Sequence, residues 1–383
     1  TVLKDFYNRR GLRTEIMTVE SIHLAYSGLD LAEEIRMAIL DAYIVEGVTH
    51  VLLAGDSDNG PYDLPHRGLY CTVQSSSLYE DYGIPADLYY AALDGDWNAN
   101  GDTLWGEPGE EDFYSEVAVG RLSFDNEAEA AAIINKIMMY QESPVVSLCD
   151  DALMLGEHLY SDPVTYGGDE MDQLIGMWDI HGFATTGIPH SFDIVKFYER
   201  DIPYDVTYVY AGISAGPGIV CHAGHSNYLY VMKMIAGNVT TANLTNDGIS
   251  ANFPLINSYG CNAGGFDLND CIAEEMVSLA TCASAYVGNS RYGWFTEGTT
   301  NGPSHHFQRE FFDAIFTEGV TTVGEAFMRS KDETVPFVDL PDEYEPGAHR
   351  WCFYGLNVLG DPAMDVWTGQ PTPIAASHEH GID

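Results

Sequence analysis

The sequence predicts an α/β fold built in two parts. Short apolar runs alternate along the chain with longer segments in which apolar residues recur at helical spacing. The first pattern is typical of buried strands and the second of amphipathic helices. Their alternation favours sheets flanked by helices. With 383 residues, of which 45% are apolar, the chain can bury one large core or two smaller ones.

The first predicted part, residues 1–145, is an N-terminal α/β subdomain. The segment 142–151, ESPVVSLCDD, follows its last helical pattern and is interpreted as the connection to the second part. Apolar runs predict strands and apolar residues at helical spacing predict helices. The predicted strands are 49–56, 87–94 and 116–123, and the predicted helices are 31–44 and 126–142.

The second predicted part, residues 146–368, repeats the alternation of strands and helices. Residues 369–383 are rich in Pro, Ala and His and are expected to form a linker or a disordered end. The helices predicted here are expected to cover a second sheet. The predicted strands are 152–157, 192–199, 218–224, 253–261 and 283–290, and the predicted helices are 270–280 and 304–319.

The charge of the chain excludes some partners. There are 58 Asp and Glu against 16 Lys and Arg, a formal charge of −42, which repels nucleic acid and anionic membrane surfaces. Only five basic residues are lysines, which suits a secreted protein in a saline setting; an ordinary acidic bacterial or archaeal protein is the alternative. The uncharged stretch 211–232 contains several glycines and Pro217, so no membrane span is expected.

The seven cysteines point away from a structural zinc site. They stand at 71, 149, 221, 261, 271, 282 and 352, and no two of them form a CxxC pair. The odd number leaves at least one thiol unpaired within the chain. The chain starts with sequence already patterned like a folded domain, so any targeting or pro-segment is expected to have been removed.

One cysteine stands where a predicted strand ends. FPLINSYGC runs to Cys261 and is followed by Asn-Ala-Gly-Gly, a flexible turn whose N–H groups could approach a substrate carbonyl. The upstream strand GIVCHAG ends near His222 and His225. Because functional groups of open α/β sheets gather at the carboxyl ends of strands, a Cys/His dyad is one interpretation. A buried inert cysteine beside two hydrogen-bonded histidines is the other.

At this point the chain resembles the gingipain-like cysteine peptidases of the caspase-like clan. The resemblance rests on RRGLRTEIMTV, DLYYAALDGDW, SEVAVGRLSF, HAGHS, YGCNAGGFDLNDCIAEEM and NVLGDPAM, which occur in the same order. It implies caspase-like α/β sheets flanked by helices and a peptidase with Cys261 as nucleophile and His225 as base. The family has glycine where this chain has Ser226, whose N–H is expected to help hold the oxyanion.

The resemblance also implies three further site residues. Glu157 is expected to orient the catalytic histidine, Asp169 to pair with a basic substrate side chain, and Trp294 to form a pocket wall along the aliphatic part of that side chain. Asp172, one helical turn after Asp169, is the alternative pocket acid. These residues predict cleavage after Arg or Lys, since a carboxylate at the base of a pocket selects a cation.

An acidic loop predicts a calcium site. DGDWNANGDTLWGE fits the calcium-loop template, with Asp96, Asn98, Asn100 and Glu107 as oxygen donors, Gly101 at the sharp turn and Asp102 inside the loop. The preceding DLYYAAL looks like a strand, so a single structural calcium loop is favoured over a paired-helix calcium hand. A solvated acidic turn is the alternative. No organic cofactor is expected.

The predicted function is therefore that of a secreted cysteine endopeptidase acting on peptide and protein substrates. The alternative from another class is a catalytically impaired, calcium-stabilised binding or adhesion module on the same fold, for which Ser226 is the best support. An α/β hydrolase or transferase that uses a serine is a third interpretation.

Overall fold

A computed structural model describes residues 1–58, 60, 63–340 and 345–372. Most of the predicted tail, from residue 373 onward, lies outside the described residues. No helix within the described ranges is long and apolar enough to cross a membrane. The helices and strands of the described chain are numbered in order below.

Eleven α-helices lie in the described part of the chain. They are α1 (Val2–Arg9), α2 (Val19–Ala25), α3 (Leu31–Glu46), α4 (Leu88–Ala91), α5 (Glu127–Glu142), α6 (Gly167–Asp172), α7 (Val206–Ser214), α8 (Ile272–Ser278), α9 (Pro303–Phe316), α10 (Val323–Thr334) and α11 (Ala348–Gly355).

The described residues also form sixteen strands. They are β1 (His50–Ala54), β2 (Arg67–Gln74), β3 (Leu78–Ala86), β4 (Ala118–Leu122), β5 (Asp151–Gly156), β6 (His158–Ser161), β7 (Val164–Tyr166), β8 (Met177–Ile180), β9 (Phe183–Thr186), β10 (Asp193–Tyr198), β11 (Ile219–Ala223), β12 (Tyr230–Val231), β13 (Met234–Ile235), β14 (Leu255–Ser258), β15 (Ala285–Asn289) and β16 (Leu356–Leu359).

The fold is a mainly parallel eight-stranded sheet flanked by helices, which confirms the predicted α/β class. The strand order is β1-β4-β16-β15-β14-β11-β5-β10. Neighbouring strands are parallel except β15 and β16. The carboxyl ends of β10, β5, β11, β14 and β15 therefore lie at one edge of the sheet. Both predicted parts contribute strands to this sheet, and their boundary near residue 145 stays a prediction.

The central strands are buried on both faces. Every residue of β11, β14 and β15 is buried. Strands covered by helices on both sides need apolar residues at nearly every position, so they appear in the sequence as continuous apolar runs. This is why the sequence predicts β5, β11, β14 and β15 at the observed places.

One predicted strand is wrong. Residues 87–94 contain the short helix α4 instead, with Tyr89 and Tyr90 buried. Tyrosine pairs favour strands in general, but tertiary contacts override that preference here. The Asp87 carboxylate, just before the helix, forms a two-point ion pair with Arg121 of β4 at 2.9 and 2.7 Å. This buried pair fixes the segment outside the sheet.

Candidate active site

Parallel neighbouring strands bring the predicted catalytic residues to one edge of the sheet. Glu157 follows β5 directly, His225 lies two residues after β11, and Cys261 lies three residues after β14. These three strands are adjacent in the order β14-β11-β5. Since parallel strands end at the same edge, the shared edge places the three residues near one another.

A direct contact joins the histidine turn to the cysteine turn. Ser226, the residue after His225, donates its Oγ hydroxyl to the backbone carbonyl of Cys261 at 2.7 Å. Ser226 does not adopt a positive φ, so the turn does not need glycine at this position. Its backbone N–H makes no hydrogen bond within residues 63–340. The serine that departs from the family pattern therefore ties the two turns together and keeps its N–H available.

Two glycines allow this close approach. A Cβ on Gly260 would lie 2.2 Å from Ser226 Oγ. A Cβ on Gly224 would lie 2.4 Å from His222 Nε2. Because real Cβ atoms do not approach other atoms so closely, a side chain at 260 would push the two turns apart, and one at 224 would displace His222 and Glu157.

The Cys261 thiol lies in a partly buried turn. Burial raises its pKa above the ordinary value. The thiol donates to the Gly293 carbonyl at 3.5 Å. Cys261 is the one partly exposed residue among the seven cysteines, and the other six are buried. The next residue, Asn262, has a φ of 56° and donates its N–H to the Arg291 carbonyl at 2.7 Å, which fixes the turn.

The hydrogen bond of His225 defines its tautomer. Its Nε2 lies 2.9 Å from the Leu159 carbonyl of β6. A carbonyl only accepts, so Nε2 carries the proton and Nδ1 is left with a free lone pair. His225 is exposed, and its ring also contacts Phe295 with centroids 6.3 Å apart. No hydrogen bond joins His225 and Cys261 in the described chain, so the thiol must turn away from Gly293 to reach the imidazole.

The Glu157 carboxylate contacts a different histidine from the one expected. Its Oε1 lies 3.4 Å from His222 Nε2, and its Oε2 lies 3.2 Å from Lys233 Nζ. Burial alone raises the pKa of Glu157, but the hydrogen bond from His222 and the charge of Lys233 outweigh burial and hold it below its usual value. His222 also contacts Ser258 Oγ at 2.8 Å and is fully buried.

The strand register explains this correction. His222 is paired with Leu155 in β5, and Glu157 lies two residues further on, on the same face of the sheet. His225 lies beyond the end of β11 and takes the Leu159 carbonyl as its partner instead. The sequence contains no signal for Leu159, because a backbone carbonyl is present at every residue.

Asp169 is already paired within the chain. It lies in the first turn of α6 and forms an ion pair with Arg200, which follows β10. Arg200 also pairs with Asp172, and Lys196 Nζ lies 2.7 Å from Asp172 Oδ1. Asp169 is 50% exposed. Both candidate pocket acids are thus balanced by basic residues of β10 and of the turn after it, and neither contacts Cys261 or His225 among the described residues.

Trp294 lies close to the nucleophile in a cluster of aromatic rings. It follows Gly293, whose carbonyl accepts from the Cys261 thiol. Its ring meets those of Tyr79, Tyr292 and Trp351 at centroid distances of 5.3, 6.4 and 6.3 Å. Trp294 itself is 9% exposed. It therefore forms part of a wall beside the thiol, while Tyr292 and Tyr79 present more of their surface to solvent.

The predicted calcium loop is compact and internally hydrogen bonded. The Asn100 Nδ2 atom donates to Glu107 Oε2 at 2.9 Å and to Asp102 Oδ2 at 3.2 Å, while Gly101 has a φ of 72°. Asn98 Oδ1 is buried without a hydrogen-bond partner. The carboxylates of Asp96, Asp102 and Glu107 form no ion pair within the described chain. Asp96, Asp102 and Glu107 are not among the groups of described carboxylates whose oxygens lie within 4.8 Å of one another, so the calcium site in this loop stays a prediction.

Two groups of carboxylates that the sequence reasoning did not single out lie nearby in the N-terminal half. Asp94, Asp112 and Glu116 lie at the base of the same loop, and Asp56, Asp58 and Asp125 lie after β1 and β4, with one oxygen per residue within 4.8 Å of the others in each group. Burial together with neighbouring carboxylates raises the pKa of Asp56 and of Asp112 to about 6. These acids are far apart in sequence, so only the fold assembles them.

Fold and site together define the class: an α/β protein with a thiol and an imidazole at the ends of adjacent parallel strands, as in cysteine peptidases. The model of peptidase family C25 matches residues 2–367. The chain therefore belongs to peptidase family C25, which confirms the predicted gingipain-like family.

Solved structures agree on the fold. A crystal structure of the Arg-specific cysteine proteinase gingipain R (RgpB) superimposes with a TM-score of 0.69 at 20% identity, covering 97% of this chain and 76% of that one. A complex of the pro- and mature domains of RgpB from Porphyromonas gingivalis gives 0.69 at 20%, covering 97% and 77%. A structure described as a protease gives 0.71 at 16%, covering 100% and 78%. A search of curated protein sequences gave no match.

Proposed function

We propose that this protein is a cysteine endopeptidase in which Cys261 is the nucleophile and His225 the general base. The observation that carries the proposal is the contact of Ser226 Oγ with the Cys261 carbonyl at 2.7 Å, because it puts the imidazole turn against the nucleophile turn. The hydrogen bond of His225 Nε2 to Leu159 supports the same assignment, since it leaves Nδ1 free to take a proton.

The chemistry follows in two halves. The Cys261 thiol gives its proton to His225 Nδ1, and the sulfur attacks the substrate carbonyl carbon, so that a C–S bond forms and the carbonyl electrons move onto oxygen. The Ser226 N–H is available to donate to that oxyanion. His225 then protonates the leaving amine as the C–N bond breaks. Water, deprotonated by His225, attacks the thioester, and Cys261 regains its proton as the acid product leaves.

Glu157 acts in this proposal as a positioning residue. Its carboxylate holds His222, and Gly224 packs against both of them, with its ideal Cβ position 2.6 Å from Glu157 Cδ. The turn that carries His225 begins at Gly224. Glu157 and His222 therefore fix the position of this turn by packing against its first residue, and they do not touch the reacting atoms. The Leu159 carbonyl orients the imidazole itself.

We further propose a preference for Arg or Lys before the cleaved bond, with Asp169 as the acid that meets the substrate cation. Gingipain R, with the same fold, is described as Arg specific. The ion pair of Asp169 with Arg200 limits this effect, because a substrate guanidinium must share or displace that partner. Trp294 would line the pocket on the side of the thiol.

Calcium and an extracellular location are also proposals. The carboxylates of Asp96, Asp102 and Glu107, which form no ion pair in the described chain, and the unpartnered Asn98 oxygen support a structural Ca²⁺ in the loop, which would neutralise local repulsion without entering the reaction. The acidic, lysine-poor composition supports a secreted protein. A pro-segment is a proposed partner by analogy with the RgpB complex of pro- and mature domains.

Hydrolysis of a small set of fluorogenic peptides tests the proposed function. The peptides differ in the residue before the cleaved bond, and Cys261→Ala serves as the matched variant. We expect cleavage by the natural chain and none above background by Cys261→Ala with an unchanged far-UV spectrum. A chain that binds peptides but never cleaves them would support the binding-module alternative, and equal turnover by the folded variant would contradict the role of Cys261.

A further inference from the structure

A surface groove of about 400 Å³ opens beside the nucleophile turn. The hairpin β2–β3 forms one wall, through Leu78 and Tyr79, and the segment after β15 forms the other, through Tyr292. Trp351 of α11 and Asn262, the neighbour of Cys261, also line the groove. The remaining lining residues are Glu80, Asp81 and Arg291. None of these side chains takes part in the chemical steps described above.

We propose that this groove is a substrate subsite for a large apolar or aromatic side chain of the peptide, at a position other than the one before the cleaved bond. The inference rests on the proposed peptidase function and adds a second determinant of specificity to it. The occupant is the substrate itself, because the groove continues directly into the turn that carries the thiol.

Three aromatic rings lie in contact with one another in the wall of the groove. Tyr79 and Tyr292 meet edge to face with centroids 5.9 Å apart, and Tyr292 stacks on Trp351 at 6.1 Å with an interplanar angle of 14°. Tyr292 is 43% exposed and Leu78, at the rim, 60%. Rings arranged in this way offer faces and edges to another ring, and each such contact adds to the burial of apolar surface.

The arginine of the groove is paired within the chain. Arg291 Nε lies 2.9 Å from Asp81 Oδ2, and its Nη2 lies 2.6 Å from Asp267 Oδ2. Glu80 forms no ion pair among the described residues; it belongs to the outward face of β3, where its carboxylate accepts from Tyr70 OH at 2.8 Å. Tyr79 and Glu80 are neighbours on the strand, so their side chains point to opposite faces, and the ring of Tyr79 rather than the Glu80 carboxylate meets the other rings of the groove.

Hydrogen bonds connect the wall of the groove to the turn of the nucleophile. The Arg291 carbonyl accepts from the Asn262 N–H at 2.7 Å, and the Gly293 carbonyl accepts from the Cys261 thiol at 3.5 Å. Tyr292 lies between these two carbonyls in the chain. The segment that carries Tyr292 is therefore held against the turn of the nucleophile on both sides of this ring.

A positional peptide library tests the proposal, with cleavage measured for natural chain, Tyr79→Ala, Tyr292→Ala and the control Tyr82→Ala. Tyr82 lies on the same strand as Tyr79 but faces solvent, 63% exposed, next to Tyr70. We expect one substrate position at which Phe, Tyr or Leu is cleaved with a kcat/KM about tenfold above Gly. Tyr79→Ala and Tyr292→Ala should abolish this preference, while Tyr82→Ala should keep it.

A binding measurement separates this proposal from the proposed function. The same peptides, carrying a fluorescent label, are titrated against Cys261→Ala, and their Kd values are read by anisotropy. Tighter binding of Phe peptides that is lost in Cys261→Ala/Tyr292→Ala would support the subsite even if the natural chain cleaves nothing. Cleavage or binding with no aromatic preference at any position, or a preference that survives both Tyr79→Ala and Tyr292→Ala, would overturn it.

Discussion

Two regions of the molecule differ in whether their polar side chains have partners. One is the edge of the sheet where β11 and β14 end, and the other is the corner formed by α6 and β10. At the first, His225 Nδ1 and the Ser226 N–H have no partner in the described chain, and the Cys261 thiol makes only a long contact with a carbonyl. At the second, Asp169 and Asp172 are balanced by Arg200 and Lys196. Both regions follow parallel strands of the same sheet, only two or three strands apart.

The difference shows which groups the chain keeps for a ligand. Polar groups that pair with each other contribute to the fold, and surface ion pairs of this kind contribute little energy. Groups left unpaired at a strand end cost the fold some stability, and a substrate can compensate that cost. The contrast between His225 and His222, three residues apart, is the clearest case, because His222 has partners on both ring nitrogens.

The largest effect is expected from His225→Ala. Without the base, kcat/KM should fall by about 10²–10⁴-fold, while the free energy of unfolding should change by less than about 0.5 kcal/mol, because the side chain is exposed. Peptide hydrolysis and urea unfolding measure the two quantities.

His222→Ala should show the opposite pattern. It removes a fully buried ring that contacts Ser258 and Glu157, so the free energy of unfolding should fall by about 2–4 kcal/mol. The folded fraction should lose much less kcat/KM than His225→Ala does, because His222 supports the turn of His225 but touches no reacting atom. If His222→Ala abolishes activity in a stable protein and His225→Ala does not, the assignment of the base is wrong by three residues.

A smaller effect is expected at the paired corner. Asp169→Asn should lower kcat/KM for arginyl peptides by about 3- to 10-fold, since the carboxylate is half exposed and shared with Arg200. Arg200→Ala should raise it by a similar factor, because it frees the acid. Peptides with an uncharged residue at this position are the control. Unchanged arginyl cleavage in both variants would leave the preference for basic residues without support from α6.

The acidic loop should affect stability and not turnover. Calcium in hundredfold excess over its Kd should stabilise the fold by about 2–3 kcal/mol, read as a rise in Tm that a chelator reverses. Asp96→Asn/Glu107→Gln should lose this response. If the double variant still responds to calcium, the cation binds elsewhere in the protein. If neither calcium nor chelator changes the Tm, the loop is the solvated acidic turn of the alternative interpretation.

The sequence predicts the positions of the buried strands much better than the partners of individual side chains. β5, β11 and β14 are predictable because buried parallel strands need continuous apolar runs, and Cys261 stands out because a glycine-rich turn follows it. The partners of Glu157 and Asp169 are not predictable in this way. They depend on the register of β5 against β11 and on the position of β10 beside β5, which arise from packing between distant segments.

The hairpin β2–β3 illustrates the same limit. Tyr79 and Tyr82 stand an odd number of positions apart, so the sequence places them on opposite faces of the strand. It does not show which of the two faces meets the aromatic cluster, and in the fold only Tyr79 does. The short helix α4 was predicted as a strand because its tyrosines favour strands, and the buried pair of Asp87 with Arg121 decides otherwise.

Covalent labelling by an electrophilic arginyl ketone tests the central claim most directly. Intact mass and peptide mapping should show one label, on Cys261, because the other six cysteines are buried. His225→Ala should slow labelling strongly, since it removes the group that takes the thiol proton, while His222→Ala in its folded fraction should label at nearly the natural rate. A folded natural chain that takes no label, or takes it on another cysteine, would contradict the account.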